Sequence, residues 1–257
     1  MSKVAVIGLG VVGSAQVRML EKIYEVTGYD KVSGLDYPAE QIGQCEFAVI
    51  AVGTPAYGDG SINLDHVTEA VAALPDAMPV MIRSTVIPGT CRWLDEVHAG
   101  WVAHVPEFMH ERIGGPWRDT TDVPFTILGC DDAAGTDFFL KHLKACSWGA
   151  KIHETSTVAA ELVKYAANLH WAAQVTFVNE MAAIAKAAGA DWEAVRTAWL
   201  MDDRISAEYT SMKGYEPGFG GRCWPKDLAA LIAAAKELGY EPQFLEAVQE
   251  ANRRFRA

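Results

Sequence analysis

The sequence predicts an α/β protein with an N-terminal Rossmann-like, doubly wound parallel sheet, followed by a long central helix and a small all-α domain. Three observations carry this prediction. An apolar strand pattern at residues 3–7 leads directly into a glycine-rich turn and a helical pattern. Strand and helix patterns then alternate to about residue 143, which is typical of a parallel sheet with crossover helices. A helical pattern without proline or glycine then runs from Thr157 to about Ala188.

The expected domain boundary lies just before this long helix. We expect a cofactor-binding domain over residues 1–153 and a helical domain over 154–257 that carries Lys164, Asn168 and the loop around Cys223. The expected strands are Lys3–Ile7, Tyr24–Tyr29, Phe47–Val52, Val80–Ser84, Trp101–Val105 and Pro124–Gly129. The expected helices after the first are Leu64–Ala73, Thr90–Val97, Ala133–Leu143, Thr157–Ala188, Trp192–Leu200, Leu228–Leu238 and Phe244–Phe255.

The turn after the first strand has the spacing of a dinucleotide-binding loop. Gly8 permits a tight turn, Gly10 lets a pyrophosphate approach the backbone, and Gly13 lets helix and strand pack closely. The N-terminus of the following helix favours negative charge. Asp30 ends the second strand, where a carboxylate meets the adenosine ribose hydroxyls and repels a 2′-phosphate. We therefore expect NAD as the cofactor rather than NADP.

Further cofactor contacts are expected beyond the carboxyl ends of the strands, where ligands bind in doubly wound sheets. Segments Val52–Pro55, Ser84–Thr90 and Pro106–Phe108 fall at these ends. The expected cofactor-binding residues are Gly8, Gly10, Val11, Val12, Gly13, Asp30, Lys31, Val52, Gly53, Thr54, Pro55, Ser84 and Thr85.

The composition favours a small-molecule ligand. The chain has 257 residues, 50% of them hydrophobic, and a formal net charge of −11, which disfavours binding to nucleic acid or to an anionic membrane. No apolar run is long enough to span a bilayer, and no signal region is evident at the start. The five cysteines are odd in number and lack metal-ligand spacing, and the seven histidines are dispersed. We expect a cytoplasmic protein without a metal site.

Cys223 is the candidate nucleophile. It follows a glycine run at residues 218–221 and precedes Pro225, which is suited to the first turn of a helix whose positive end favours a thiolate. Glycines in such a loop allow the backbone to approach a ligand closely. The alternative is a buried thiol that serves only as a small hydrophobic side chain.

The long helix carries a second candidate group. Glu161, Lys164 and Asn168 are spaced at i, i+3 and i+7 and therefore share one helix face. A lysine and an amide on that face could hold a substrate oxygen and stabilise negative charge on it. The alternative is a solvated surface pair. Arg204 is likewise open to two interpretations, as a phosphate ligand or as the partner of a surface carboxylate.

Taken in order, these segments resemble the UDP-glucose/GDP-mannose dehydrogenase family. The matching motifs include Gly8–Gly13, Glu161-x-x-Lys164-Tyr165-x-x-Asn168, Asn179-Glu180, Asp203-Arg204-Ile205 and Gly218–Asp227 as well as the segments at the strand ends. The resemblance covers nearly the whole chain, and the cysteine loop is its most specific part. It is closest to a short form that lacks the family's C-terminal, UDP-binding domain, because the sequence ends at Ala257.

The resemblance implies NAD-dependent oxidation of a nucleotide-sugar alcohol to a carboxylic acid in two hydride transfers. Cys223 would form the covalent intermediates, and Lys164 and Asn168 would hold the oxyanion. Thr85, Glu107 and Asp227 would position water or transfer protons. A homodimer through the long helix is expected, because this helix is apolar on several faces. The expected substrate-binding residues are Phe108, Met109, Arg204, Tyr209, Phe219, Gly220 and Gly221.

Four departures from the family pattern affect the substrate more than the chemistry. The segment between Asp30 and Phe47 is short, Arg83 replaces a lysine, Val105 replaces an asparagine, and Arg222 and Trp224 flank the cysteine. Two other functions remain open at this stage. One is a single-step 3-hydroxyacid dehydrogenase, which would leave Cys223 unexplained. The other is a non-catalytic NAD-binding or partner-binding module.

Overall fold

The computed structural model describes residues 1–109, 124–146, 151–214 and 216–257. Its contacts divide the chain into two compact units. The first comprises residues 1–55 and 62–164, and the second comprises residues 56–61 and 165–257. The division therefore falls inside the long helix, after Lys164, and not at the expected boundary between residues 153 and 154. Lys164 belongs to the sheet unit rather than to the helical unit in which it was expected.

The first unit is built on a mixed seven-stranded sheet with the order β2-β1-β3-β4-β5-β6-β7. Neighbouring strands are parallel except at one place, where β5 and β6 pair antiparallel through His104 and Gly129. The prediction of an entirely parallel sheet was therefore wrong at this pair. The strands are β1 (Lys3–Ile7), β2 (Glu25–Tyr29), β3 (Phe47–Ile50), β4 (Val80–Ile82), β5 (Val102–His104), β6 (Phe125–Gly129) and β7 (Lys151–Thr155).

Both faces of the sheet are buried, as the doubly wound fold requires. Alternate residues of one strand belong to different core clusters: Ala48 and Ile50 of β3 lie in one, and Phe47 and Val49 lie in the other. Five helices cover the two faces: α1 (Val11–Leu20), α2 (Ala39–Ile42), α3 (Asp65–Ala72), α4 (Thr90–Val97) and α5 (Ala133–Ala145). The predicted α/β class and the doubly wound arrangement are confirmed.

Strand β7 was missed because its sequence lacks an apolar pattern. Lys151–Thr155 forms one edge of the sheet, and none of its side chains is buried. The sequence of the connection between β5 and β6 does contain an indication that β6 runs antiparallel to β5. The connection from β5 contains Gly114, Gly115 and Pro116, which disfavour the crossover helix that usually joins parallel strands.

The long helix α6 (Thr157–Ala187) begins against the edge of the sheet. Asp131 accepts hydrogen bonds from the backbone N–H of Thr157 (3.0 Å) and from its hydroxyl (2.6 Å), which satisfies donors at the helix start. Gly129 of β6 lies so close to the helix that an added Cβ atom would be 2.5 Å from Cβ of Ala160. These contacts fix the first turns of α6, including the turn that carries Lys164.

The second unit is all-α in the part of the chain that the structure describes, in agreement with the prediction. The C-terminal part of α6 packs in it with α7 (Trp192–Trp199), α8 (Trp224–Glu237) and α9 (Gln243–Arg256). One apolar cluster joins Leu169 and Ala172 of α6 to Leu228 and Ile232 of α8 and to Val248 of α9. The residues 56–61 form a turn, and Gly60 in it approaches Ala229 of α8.

We expect Gly129→Ala to destabilise the first unit by about 1–3 kcal/mol, the usual cost of overfilling a packed core. The added methyl group would meet Ala160 and the carbonyl oxygen of Ser156, which lies 2.9 Å from the Cβ position. Chemical denaturation monitored by circular dichroism measures the loss. Gly58→Ala is the matched control, because nothing lies within 4 Å of its Cβ position. Equal stability of the two variants would contradict the close packing of α6 on β6.

Candidate active site

A cavity of about 540 Å³ opens at the carboxyl ends of β1, β2 and β3. Six of the residues expected to bind the cofactor line it: Gly8, Gly10, Asp30, Lys31, Val52 and Gly53. Its other lining residues are Ile7, Tyr29, Val32, Tyr37, Ala51, His66, Glu69, Ala70 and Ala73. The position matches the crevice at which doubly wound sheets bind dinucleotides, and the size suits a nucleoside.

The three glycines of the first loop have different physical roles. Gly8 adopts a φ of 90°, and an added Cβ would lie 2.7 Å from the carbonyl oxygen of Ala51. A Cβ on Gly13 would overlap the carbonyl oxygen of Gly8. Gly10 has nothing within 4 Å of its Cβ position and is exposed. Gly8 and Gly13 are therefore required by the fold, whereas Gly10 leaves space that a ligand can use.

Asp30 is held in a defined orientation at the end of β2. Its Oδ2 accepts from the N–H of Leu9 at 2.7 Å, and its Oδ1 accepts from the N–H of Val32 at 3.0 Å. Each carboxylate oxygen retains further acceptor capacity toward the cavity. This arrangement fits the expected contact with ribose hydroxyls, which donate to such a carboxylate.

The loops after β3 and β4 are tied together by two side chains. The Thr54 hydroxyl donates to the carbonyl oxygen of Thr85 at 2.9 Å, and the Ser84 hydroxyl donates to that of Val52 at 2.8 Å. His66 of α3 contacts the carbonyl oxygen of Gly53 through Nδ1 at 3.0 Å and lines the cavity. The sequence did not indicate that His66 lines the cavity, because no local motif connects this residue to the glycine loop.

Lys164 and Glu107 form a buried ion pair. The Lys164 ammonium donates to Oε1 of Glu107 at 2.9 Å and to its carbonyl oxygen at 2.7 Å, and the two side chains are only 6% and 13% exposed. Burial alone would raise the pKa of Glu107, but the charges of Lys164 and Arg83 lower it below its usual range. Lys164 also lies 5.6 Å from the centre of the Phe108 ring. The solvated-surface alternative for Lys164 was therefore wrong.

Arg83 is the departure from the family pattern that the structure explains best. Its guanidinium donates to the carbonyl oxygens of Val105 (2.8 Å) and Pro106 (3.3 Å), directly before Glu107. Burial lowers the pKa of Arg83 to about 10, while the negative charge of Glu107 opposes that shift. Glu107 is also fixed by the N–H of Met109, which donates to Oε2 at 2.8 Å.

Glu161 is fully buried one helical turn before Lys164. Its oxygens accept from the backbone N–H groups of Gly89 (2.6 Å) and Cys91 (2.7 Å) at the start of α4. Burial raises the pKa of Glu161, and these two hydrogen bonds partly oppose the rise. The residue therefore joins α6 to the segment Ser84–Thr90 and has a structural rather than a substrate-facing position.

In the second unit, Asn168 and Asp227 are brought together. The amide of Asn168 donates to Oδ2 of Asp227 at 2.6 Å, and Lys226 pairs with Oδ1 at 2.7 Å. The Asp227 side chain is only 1% exposed. A buried carboxylate between an amide donor and an ammonium group is well placed to orient a polar substrate atom or a water molecule.

Cys223 is exposed and stands at the N-cap position of α8, and Pro225 lies in the first turn of that helix. The buried-thiol alternative was therefore wrong. Burial raises the pKa of the other four thiols, which makes them poor nucleophiles. Those four thiols belong to Cys45, Cys91, Cys130 and Cys146.

Side chains from α6 and α9 hold residues 218–220 of the loop before Cys223. The side chain of Asn252 accepts from the N–H of Phe219 (2.7 Å) and donates to its carbonyl oxygen (3.0 Å). Asn179 accepts from the N–H of Gly218 at 3.0 Å. The Arg256 guanidinium lies 3.1 Å from the position of a Cβ on Gly220. Asn252 and Arg256 share one face of α9, a tertiary relationship that the glycine pattern alone does not contain.

Three of the expected substrate-binding residues have environments that differ from one another. The Phe219 side chain is 3% exposed and lies in the core of the second unit. Arg204 pairs with Asp202 at 2.6 Å on the surface, which fits the second of its two interpretations. Tyr209 adopts a φ of 55°, the only non-glycine positive φ among the described residues, and its ring stands between those of Trp171 and Trp224. Such strained positions cluster at functional sites.

Two consecutive parts of the sequence match known domain profiles. Residues 33–143 match the UDP-glucose/GDP-mannose dehydrogenase family, NAD binding domain. Residues 158–254 match the central domain of the same family. Among the described residues, no helix has the length and apolar character needed to cross a bilayer. No cluster of metal-ligating side chains occurs among them either.

Individual relatives agree with these matches. The chain is 30% identical to the UDP-glucose 6-dehydrogenase of Rickettsia bellii, over 88% of this chain and 53% of that protein. It is 31% identical to the GDP-mannose 6-dehydrogenase of Azotobacter vinelandii, over 86% of this chain and 54% of that protein. A solved UDP-glucose dehydrogenase from Pyrobaculum islandicum superimposes with a TM-score of 0.85 at 30% identity, over 99% of this chain and 68% of that one. The chain thus spans about half the length of the curated relatives it matches.

We expect Gly10→Val to fold normally but to bind NADH at least about tenfold more weakly, a loss of about 1.4 kcal/mol. The backbone at Gly10 has a φ of −64°, which valine tolerates, and no protein atom lies near its Cβ position. The new side chain would instead occupy the ligand's space. Thermal unfolding and a fluorescence titration with NADH separate the two effects. Gly13→Val, whose side chain would collide with the backbone, serves as the comparison that loses stability. Full NADH affinity in Gly10→Val would show that this loop is only a turn.

Proposed function

Because the chain belongs to the UDP-glucose/GDP-mannose dehydrogenase family, we propose that it oxidises a primary alcohol of a nucleotide sugar to the carboxylic acid, with NAD as the hydride acceptor. UDP-glucose or a similar UDP-sugar is the proposed substrate. The observation that carries the proposal is the exposed Cys223 at the N-terminus of α8, in a loop that Asn252 and Asn179 hold in place. A hydroxyl oxidation that stopped at the carbonyl would have no use for such a thiol.

The proposed sequence has four chemical steps. The alcohol first loses a hydride and a proton to become an aldehyde. The Cys223 thiolate then adds to the aldehyde carbon and forms a thiohemiacetal, which keeps the aldehyde from escaping. Loss of a second hydride from that carbon, together with the proton of the thiohemiacetal hydroxyl, gives a thioester, and a second NAD would accept that hydride. Water hydrolyses the thioester, releases the acid and regenerates the thiol, so each acid formed corresponds to two NADH.

Bound NAD would accept the hydride at each oxidation, and the residues of the chain would hold it in the cavity beside β1, β2 and β3. Asp30 would accept hydrogen bonds from the adenosine ribose, and the backbone around Gly10 would face the pyrophosphate. The cavity of about 540 Å³ and the open space at Gly10 fit this ligand.

Lys164 is assigned to the stabilisation of negative charge on the reacting oxygen. Two of its three N–H donors bind Glu107, so one remains for a substrate oxygen. The lowered pKa of Glu107 keeps this carboxylate ionised, so that its negative charge stays beside the Lys164 ammonium. Positioned charge of this kind, shielded from water, supplies much of the stabilisation of a developing oxyanion.

Asn168 and Asp227 are assigned to the hydrolytic half of the reaction. Asp227 is buried and bonded to both Asn168 and Lys226. Its remaining lone pairs can accept a hydrogen bond from the attacking water and take a proton from it. Glu107 and Thr85 are proposed, from the family resemblance, to position water or transfer protons.

A homodimer through α6 is also proposed. Phe177 and Ile184 are 49% and 53% exposed on this helix. Their i, i+7 spacing puts them on one face, and the Phe177 ring continues onto Trp199 at 5.9 Å. Exposed apolar stripes of this kind mark association surfaces. We place the protein in a reducing cytoplasm, because all five cysteines lie outside disulfides.

The dimer predicts a mass of two chains in sedimentation at micromolar concentration, rather than the 27.9 kDa of one. Replacing both Phe177 and Ile184 by glutamate should shift the protein to the monomer, because charges would enter the buried stripe. Leu238→Glu is the matched control, since Leu238 is 72% exposed and lies outside α6. A parent protein that sediments as one chain would overturn the dimer.

Cys223→Ser should form no acid while retaining NADH binding, because a neutral hydroxyl is a far weaker nucleophile than an ionised thiol. The parent should produce two NADH for each acid formed from UDP-glucose or a related UDP-sugar. The measurement is the ratio of NADH absorbance to acid determined by chromatography.

Lys164→Ala should lower turnover by about 10²-fold or more, the usual loss for one oxyanion donor, while Cys223 still reacts with an alkylating reagent.

Cys45→Ser is the control, since burial raises the pKa of that thiol and no step uses it. Acid formation by Cys223→Ser at the parent rate would rule out covalent catalysis. One NADH per product from a 3-hydroxyacid would instead favour the single-step dehydrogenase. NADH binding without turnover of any substrate in the panel would favour the non-catalytic module.

A further inference from the structure

The rim of the cofactor cavity carries an ion pair that the reaction chemistry does not require. Lys31 follows Asp30 directly at the end of β2, and its ammonium lies 2.9 Å from Oε2 of Glu69 on α3. Both residues line the cavity. The hydrogen bond and the charge of Glu69 together raise the pKa of Lys31. A lysine and a glutamate from two separate elements thus meet at the mouth of one nucleotide-binding cavity.

Lys31 is the only lysine or arginine among the described residues that line this cavity. Asp30 and Glu69 are the carboxylates among these lining residues, and His66, Tyr29 and Tyr37 are the other titratable side chains. Asp30 would face the ribose of bound NAD and repel a 2′-phosphate, as the acid at this position does in NAD-binding folds. Lys31, its neighbour in sequence, is the group that would neutralise the negative charge of a 2′-phosphate, because phosphate oxygens bind ammonium groups strongly.

We propose that Glu69 is a second determinant of the preference for NAD over NADP. It engages the one cation among the described lining residues that could neutralise a 2′-phosphate, and so leaves that phosphate without a charge partner. NAD has a neutral hydroxyl at this position and so needs no charge compensation from Lys31. Glu69 therefore lowers the affinity for NADP rather than raising the affinity for NAD. Leaving a charge of the wrong ligand unpaired is one way in which a site gains specificity. The inference rests on NAD being the cofactor, but not on the chemistry at Cys223.

The exposure of the pair sets the size of the effect. The Lys31 and Glu69 side chains are 77% and 58% exposed, so water and salt screen their interaction. The gain in NADPH affinity on removing Glu69 should therefore be modest, about fivefold, as for other surface charge pairs. It should also shrink at about 1 M salt, where the Debye length falls to about 3 Å.

Glu69→Gln tests the inference through binding alone. The dissociation constants of NADH and NADPH are measured by nicotinamide fluorescence in low-salt buffer and again at high salt. We expect NADPH to bind about fivefold more tightly than to the parent, with NADH affinity unchanged. Adding Lys31→Met should abolish the gain, because the cation that Glu69 had engaged is then absent.

Glu96→Gln is the matched control, since it removes the same charge from an exposed position on α4 outside the cavity. The inference is overturned if Glu69→Gln leaves NADPH affinity unchanged. It is also overturned if Glu96→Gln gives the same gain, which would indicate net charge alone, or if the gain persists without Lys31. NADH binding by the parent with unchanged selectivity in Glu69→Gln would refute only this role of Glu69. Failure of the parent to bind NADH would overturn the cofactor site and this inference together.

Discussion

The buried carboxylate of Glu161 sets the constraint on which the sheet unit depends. It accepts the backbone N–H groups of Gly89 and Cys91, and so joins the first turns of α6 to the start of α4. Burial raises its pKa, so the two N–H donors and the positive end of α4 must compensate the cost of desolvation. An unpaired carboxylate at this place would be costly, so Glu161 ties the start of α4 to the first turns of α6. Lys164 stands one turn further along the same helix.

The buried charges around Lys164 also have an electrostatic effect on the site. Lys164, Glu107 and Arg83 form a cluster with two positive charges and one negative charge, buried from water. The net positive charge favours an anionic oxygen nearby, as the proposed reaction requires. Arg83 binds the carbonyl oxygens of Val105 and Pro106 and so holds the backbone from which Glu107 projects. Both of these hydrogen bonds come from one guanidinium nitrogen, Nη1.

The features that could be predicted from the sequence are those that a few neighbouring residues determine. The glycine turn, Asp30 and the helix start at Cys223 are recognisable because spacing along one strand or one helix turn determines them. The edge strand Lys151–Thr155 was missed because an exposed edge needs no apolar pattern. His66 and Glu69 reach the cavity only because α3 packs on β3, and Asn252 reaches Phe219 only because α9 packs on α8. Contacts of this kind depend on tertiary structure, which spacing in the sequence does not encode.

The glycines show most clearly why a motif alone leaves function open. Gly13 and Gly129 are required because another part of the protein fills the space where a side chain would be. At Gly220 a side chain would meet the guanidinium of Arg256, a flexible group that can move. Only at Gly10, among the three glycines of the first loop, is the space empty of protein atoms. Since protein packing does not account for the absence of a side chain there, a ligand is the simplest physical reason for it, and the case for a dinucleotide rests more on Gly10 than on the spacing of the whole motif.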